Sequence, residues 1–116
     1  MTYAGDPRQY LDHIDTMKEE VGRQAPEFLS AWTALSQQAM KRGALGTKQK
    51  ELIALALAVG ARCGYCIASH VKKCIEQGAS RAEILEAGFV AVSMGGGPAL
   101  AYLTQVIEAC DEFGAK

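Results

Sequence analysis

Cys63 and Cys66 stand three positions apart, and His70 follows four positions after the second cysteine. Two thiols at that spacing near a helix start lie on roughly one face and can approach bonding distance. A helix N-terminus carries partial positive charge and free N–H groups, which favour thiolate over thiol, and the thiolate is the nucleophilic form. An imidazole one turn beyond Cys66 sits on the same face. When neutral it accepts the thiol proton; when protonated it stabilises the thiolate. The chemistry on offer is thiol redox chemistry, with Cys66 the better-placed nucleophile and Cys63, nearer the surface end, the better-placed resolving thiol.

A single acid extends the cluster. Glu51 opens the apolar run that leads to the cysteines, with eleven residues between it and Cys63. Few residues join the helix holding this run to the helix holding His70, so the two should pack antiparallel. At about 1.5 Å per residue, Glu51 lies roughly 13 Å back from Gly60, and His70 roughly 10 Å on from Cys63. The two side chains thus fall at about one level, within direct or water-bridged reach, where a carboxylate orients an imidazole and raises its basicity. Helix rotation is not fixed by sequence, so the level match permits this contact without requiring it.

The elements that must position these groups read as helices throughout. Asp6 and Pro7 form a helix start, as N-cap and first helical residue. The first helix should run to about Gly22, with Tyr10, Ile14, Met17 and Val21 in one apolar stripe. Pro26 opens a second, whose apolar members are Phe28, Leu29, Trp32, Leu35 and Met40, and Gly43 and Gly46 break it. The Met and aromatic positions of both helices are expected in the core. Thr47 is the expected N-cap of the third helix. From Leu52 to Ala61 that helix is apolar on every side. It should be buried all round, in part against another subunit.

Gly60 and Gly64 bracket Cys63 and mark a turn, after which the fourth helix runs to Gln77 with Gly78 at C′. Ser80 and Glu83 form a capping box for the fifth, which carries a small-residue packing face. Gly95 to Gly97 make a tight interhelix turn, and Pro98 starts the sixth, with Leu100, Leu103, Val106 and Ile107 apolar. No alternating β-branched run suggests a strand. The fold class is all-α, about six helices with short loops.

Each residue also has a plainer reading. A Cys-x-x-Cys pair can be half of a zinc site, and the nearest further ligands are His70 and Cys74. That stripe, though, spans roughly 16 Å of helix, too long to converge on one tetrahedral ion. A centre shared between subunits, iron–sulfur included, stays open. A lone His70 would be read as a core histidine, but its spacing from Cys66 argues otherwise. Glu51 can be a first-turn acid favoured by the helix dipole. Cys74 and Cys110 read as ordinary buried cysteines, Tyr65 as a wall or a proton donor, and His13 as solvated. Ile67 stands where haem attachment needs a histidine. The triple glycine lacks the lysine and spacing of a phosphate loop. No cofactor and no metal is expected.

The whole chain sets the outer bounds. Its 116 residues suit one domain spanning 1–116, and with 49% apolar residues it can build a core without staples. A formal net charge of −1 with scattered basic residues offers no footprint for nucleic acid. No apolar run reaches the roughly 18 residues of a membrane span, and the first residues have no signal-peptide pattern. A cytoplasmic, reducing location is expected, where a cysteine pair is catalytic or metal-binding more often than structural.

Glu51, Cys63, Cys66 and His70, with the Leu52–Ala61 run and the Gly-Gly-Gly-Pro turn at residues 95–98, resemble the core motif of the AhpD-like alkylhydroperoxidase family. That family lies within the carboxymuconolactone decarboxylase superfamily, and the resemblance covers about residues 45 to 110. It implies an AhpD-like helical fold assembling into a homotrimer or homohexamer. It also implies a peroxide or disulfide as substrate. Cys66 would attack the peroxide and Cys63 would close the disulfide, while Glu51 and His70 move protons. An external dithiol, whether a lipoyl group, a thioredoxin-like protein or a peroxiredoxin partner, would reduce the pair. One departure is Tyr65, where the alkylhydroperoxidase has a second histidine, implying a shorter relay and weaker peroxidase activity. The superfamily's true lactone decarboxylases lack the cysteine pair. The rival readings are a disulfide reductase without peroxide chemistry, a metal- or redox-sensing interaction protein, and a decarboxylase whose activity survives loss of both cysteines.

Overall fold

A computed structural model describes residues 6–116. The reading of the first residues as something other than a signal peptide falls partly outside this range. The described residues form six helices and no strand: α1 Pro7–Gln24, α2 Pro26–Met40, α3 Thr47–Gly60, α4 Gly64–Glu76, α5 Arg81–Gly95 and α6 Gly97–Phe113. None is long and apolar enough to cross a membrane.

The chain chemistry accounts for the boundaries. Asp6 caps α1 by accepting from the Arg8 amide at 2.8 Å. Ser80 and Glu83 exchange both bonds of a capping box at the start of α5. The α4 end closes with Gly78 left-handed at φ 86°. There the Ala79 amide bonds to the Cys74 carbonyl and the Gly78 amide to that of Ile75, two bonds that satisfy carbonyls the helix leaves over. Between α5 and α6 the only non-helical residue is Gly96, at φ 70° and ψ −151°, a region open to glycine and closed to nearly everything else.

Two expectations about boundaries change. Thr47 is not the N-cap of α3 but its first residue. Gly46, extended at φ −75° and ψ 161°, already occupies the cap position, and its carbonyl accepts from the Lys50 amide to close the first turn. The turn between α3 and α4 does not use a glycine's freedom either. Gly60 ends α3 and Gly64 begins α4, while the left-handed residue between them is Arg62 at φ 55°.

The core lies among α3, α4, α5 and α6. Leu55, Val59, Ile67, Val71, Ile84 and Val106 are fully buried at its centre. Leu103 reaches across so closely that a β-carbon on Gly88 would come within 2.7 Å of it. α1 packs on α4, and α2 on α1. This layering corrects the core assignment of the first two helices, since no residue of α1 or α2 is buried. Once four helices close the core, α1 covers only their outer side and α2 has little but α1 to lie on. Met17, Phe28, Trp32 and Leu35 are therefore open to solvent. α3 is likewise not covered all round in the single chain. Leu55, Ala58 and Val59 are inside, whereas Ile53 is 48% and Leu57 69% exposed.

Candidate active site

The site forms where α3 ends and α4 begins. After α3 the Cys63 amide reaches back to the Ala58 carbonyl and the Arg62 amide to that of Val59, at 3.1 and 3.0 Å. This is the same two-bond closure that ends α4, here with arginine in the left-handed place. It delivers Cys63 to the N-cap of α4, where its Sγ accepts from the Cys66 amide at 3.2 Å. The two Cα atoms are 5.2 Å apart and the sulfurs are joined. Gly64 lets the helix start in this place: a β-carbon there would come within 2.7 Å of the Tyr10 ring and 2.8 Å of Gln105 Oε1.

One turn below Cys66, His70 Nδ1 lies 2.7 Å from Glu51 Oε1. Glu51 is 6% exposed and, among the described residues, is the one charged residue in the core. An ionised carboxylate only accepts. The proton of the neutral ring therefore sits on Nδ1, and Nε2 keeps its lone pair. Cys66 and His70 both line a cavity of about 480 Å³, with His13, Met17 and Trp32 among its other walls; Cys63 is not among its lining residues. Tyr65 also lines it, with its ring edge-on to Tyr10 at 4.8 Å, the place of a wall residue. Burial, more than the neighbouring Tyr65, pushes the Tyr10 hydroxyl above its ordinary value.

The other two cysteines stand apart from this chemistry. Cys74 follows His70 by one more turn and is fully buried. Burial first, then the Glu51 charge and Cys110, pushes its thiol up to about 12. Cys110 is buried too and raised for the same leading reason. Both are thiols, not thiolates, near neutrality. Among the described residues no group of three or more His, Cys, Asp or Glu side chains is placed to hold a metal ion.

Sequence reasoning missed several groups here. His13 is exposed, as expected, yet stands on the rim of the cavity, and Met17 and Trp32 line it instead of entering the core. The signal was the α1 face holding Tyr10, Ile14 and Met17, since a stripe with no core to enter must face another helix or a cleft. Lys50 was also missed. Its ammonium bonds the Ala39 and Lys41 carbonyls at 2.9 and 2.5 Å and ties the end of α2 to α3. No motif marks a lysine that reaches backbone carbonyls.

Known proteins resemble the chain over most of its length. A carboxymuconolactone decarboxylase family protein of Legionella pneumophila superposes with a TM-score of 0.89 at 40% identity, over 92% of this chain and 96% of its own. A second family member, from Thermotoga maritima, for which a part in antioxidative response is suggested, gives 0.81 at 27% identity over 91% and 90%. A protein of the cox locus of Paracoccus denitrificans is 37% identical over 80% of this chain and 84% of its own length. Residues 26–109 match the sequence model of the family itself. The chain belongs to the carboxymuconolactone decarboxylase family.

Proposed function

We propose that this protein is a thiol-dependent peroxide reductase of the alkylhydroperoxidase type. The observation that carries the reading is the buried Glu51 carboxylate bonded to His70 Nδ1, beside a cysteine that opens on a cavity and is joined to a second cysteine. In the reduced protein His70 Nε2 takes the proton of Cys66, and the thiolate attacks the terminal peroxide oxygen. The O–O bond breaks, the sulfur becomes a sulfenic acid, and the alkoxide leaves as an alcohol with the proton His70 returns. The Cys63 thiol then attacks that sulfur, and hydroxide leaves with a proton as water. Two thiols have lost two electrons to one peroxide. An external dithiol, such as a lipoyl group, a thioredoxin-like protein or a peroxiredoxin partner, returns the electrons by exchange. The suggested antioxidative part of the Thermotoga relative agrees with this chemistry.

Alkylation mass spectrometry during titration with peroxide tests the proposal. Cys66 should lose reactivity first, the Cys63–Cys66 disulfide should follow, and Cys63→Ser should leave a trappable sulfenic acid on Cys66. Unchanged peroxide turnover in Cys66→Ser would end the mechanism. The joined cysteines at a helix start also suit a disulfide reductase. That reading predicts fast exchange with a model disulfide and no sulfenic acid.

The working form is, on this proposal, a cytoplasmic homotrimer or homohexamer. The exposed Ile53 and Leu57 of α3 and Phe89, Val90 and Met94 of α5 supply apolar surface for contacts between copies. A monomeric mass at micromolar concentration would sink this part.

A further inference from the structure

The cavity above Cys66 has the lining of a receptor for an acid with an apolar body. Ile14, Met17, Trp32 and Tyr65 give it apolar walls. Lys18 from α1 and Lys73 from α4 belong to the same lining, which includes no aspartate or glutamate. Among the described residues neither lysine is ion-paired, whereas Lys72, next in the chain, pairs with Glu76. The chain as a whole carries a formal net charge of −1, so the positive lining is a local arrangement and not a general excess. Low-dielectric walls with charge of one sign concentrate a ligand of the other sign. Lys73 lies seven residues beyond Cys66 on α4, a rise of roughly 10 Å. A medium-chain molecule can span that distance with one end at the sulfur and the other at the ammonium.

We propose that the preferred oxidant is an organic hydroperoxide carrying a carboxylate at the far end of an aliphatic chain. The proposal rests on the peroxide-reductase reading and names the substrate for it. The hydroperoxide group meets Cys66 and His70, the chain lies against Met17 and Trp32, and the carboxylate meets Lys18 and Lys73. The chemistry at sulfur is that given above: two electrons pass from the thiols, the O–O bond breaks, and the products are a hydroxy acid and water.

The test uses the reduced full-length protein in a single turnover, so that no reductant enters the rate. Trp32 is the only tryptophan and lines the cavity, so its emission follows the reaction in a stopped-flow instrument. The probes are a medium-chain aliphatic hydroperoxy acid below its micelle concentration, its methyl ester, and tert-butyl hydroperoxide. The acid should oxidise the protein about fivefold faster than the ester, the size two exposed charge pairs support. That ratio should fall toward one in Lys18→Met/Lys73→Met and also in wild-type protein at high salt. Lys72→Met, which removes a cation outside the cavity, should keep the wild-type ratio. The salt series stands independently of whether the double variant folds. Equal rates for acid and ester, or a ratio that survives both high salt and loss of the lysines, would overturn the proposal while leaving peroxide reduction in place. If none of the three hydroperoxides oxidises the thiols, the peroxide-reductase reading falls and this proposal with it.

Discussion

Glu51 shows how one buried charge shapes the site. Its carboxylate is held inside the core by the His70 ring, so Nδ1 is engaged and Nε2 is the ring nitrogen left over. Glu51→Gln keeps the shape and a hydrogen bond but gives up the charge. On the proposed mechanism the rate of thiol oxidation by peroxide should drop at least about 10-fold, the lower end of what losing the carboxylate behind a metal-bound imidazole costs. Its pH profile should move as well, which a merely structural defect would not produce. Cys74 supports a separate prediction. Its thiol is raised to about 12 in the folded protein, whereas an unfolded thiol titrates near 8.5. Between those values the unfolded chain gives up a proton that the folded chain keeps, so stability falls as pH rises, by at most about 1.4 kcal/mol per pH unit for this group. Cys110 adds in the same direction. Urea midpoints at pH 8 and pH 10 should show the loss, and Cys74→Ala should show less of it. The spacing of Glu51, Cys63, Cys66 and His70 in the sequence already groups these side chains. Helix rise brings Glu51 and His70 to one level. The 2.7 Å contact also needs the rotation of each helix, which is set by packing partners far away in the sequence.

At the scale of helices and turns, the connections hold the most testable chemistry. Arg62 occupies a left-handed conformation that costs an L-residue about 1–2 kcal/mol. Arg62→Gly should relieve that strain and, after the entropy glycine loses on folding, raise stability by about 0.5–1 kcal/mol in thermal or urea unfolding. Gly96→Ala should lower it by at least about 1 kcal/mol, because no L side chain is comfortable there. Gly64→Ala should disturb the site as well as the fold, since the new methyl would press on Tyr10 and Gln105. The helices themselves were legible: Pro7, Pro26, the Ser80–Glu83 box and Gly78 each carry a local signal that a short stretch of chain can express. Arg62 was not legible, because nothing local selects an arginine for that conformation. The closure from Cys63 to Ala58 imposes it. Thr47 misled for a related reason, being a good cap residue next to a glycine that was already extended.

For the whole molecule, the apolar pattern told how much surface must be hidden but not what hides it. Ile53 and Leu57 belong to a run read as buried in part against another subunit, and they lie open in the single chain. Met17 and Trp32 read as core and instead wall the cavity. Which apolar side chains enter a core depends on how many helices close it, and that is a property of the assembled layers. If copies associate through α3, Leu57→Glu should lower the mass measured by light scattering while the circular dichroism of the helices persists.

Lys50 and Glu51 are successive residues, so they leave α3 about 100° apart. One holds the end of α2 and the other holds His70. α3 therefore acts as a spindle on which the end of α2 and the His70 ring are mounted at one height. The two mountings differ in how they tolerate change. Lys50 grips carbonyl oxygens of Ala39 and Lys41, and every residue type carries a carbonyl. The end of α2 is thus free to vary in sequence without loosening its tether, while the Glu51 mounting needs a donating side chain at the place of His70.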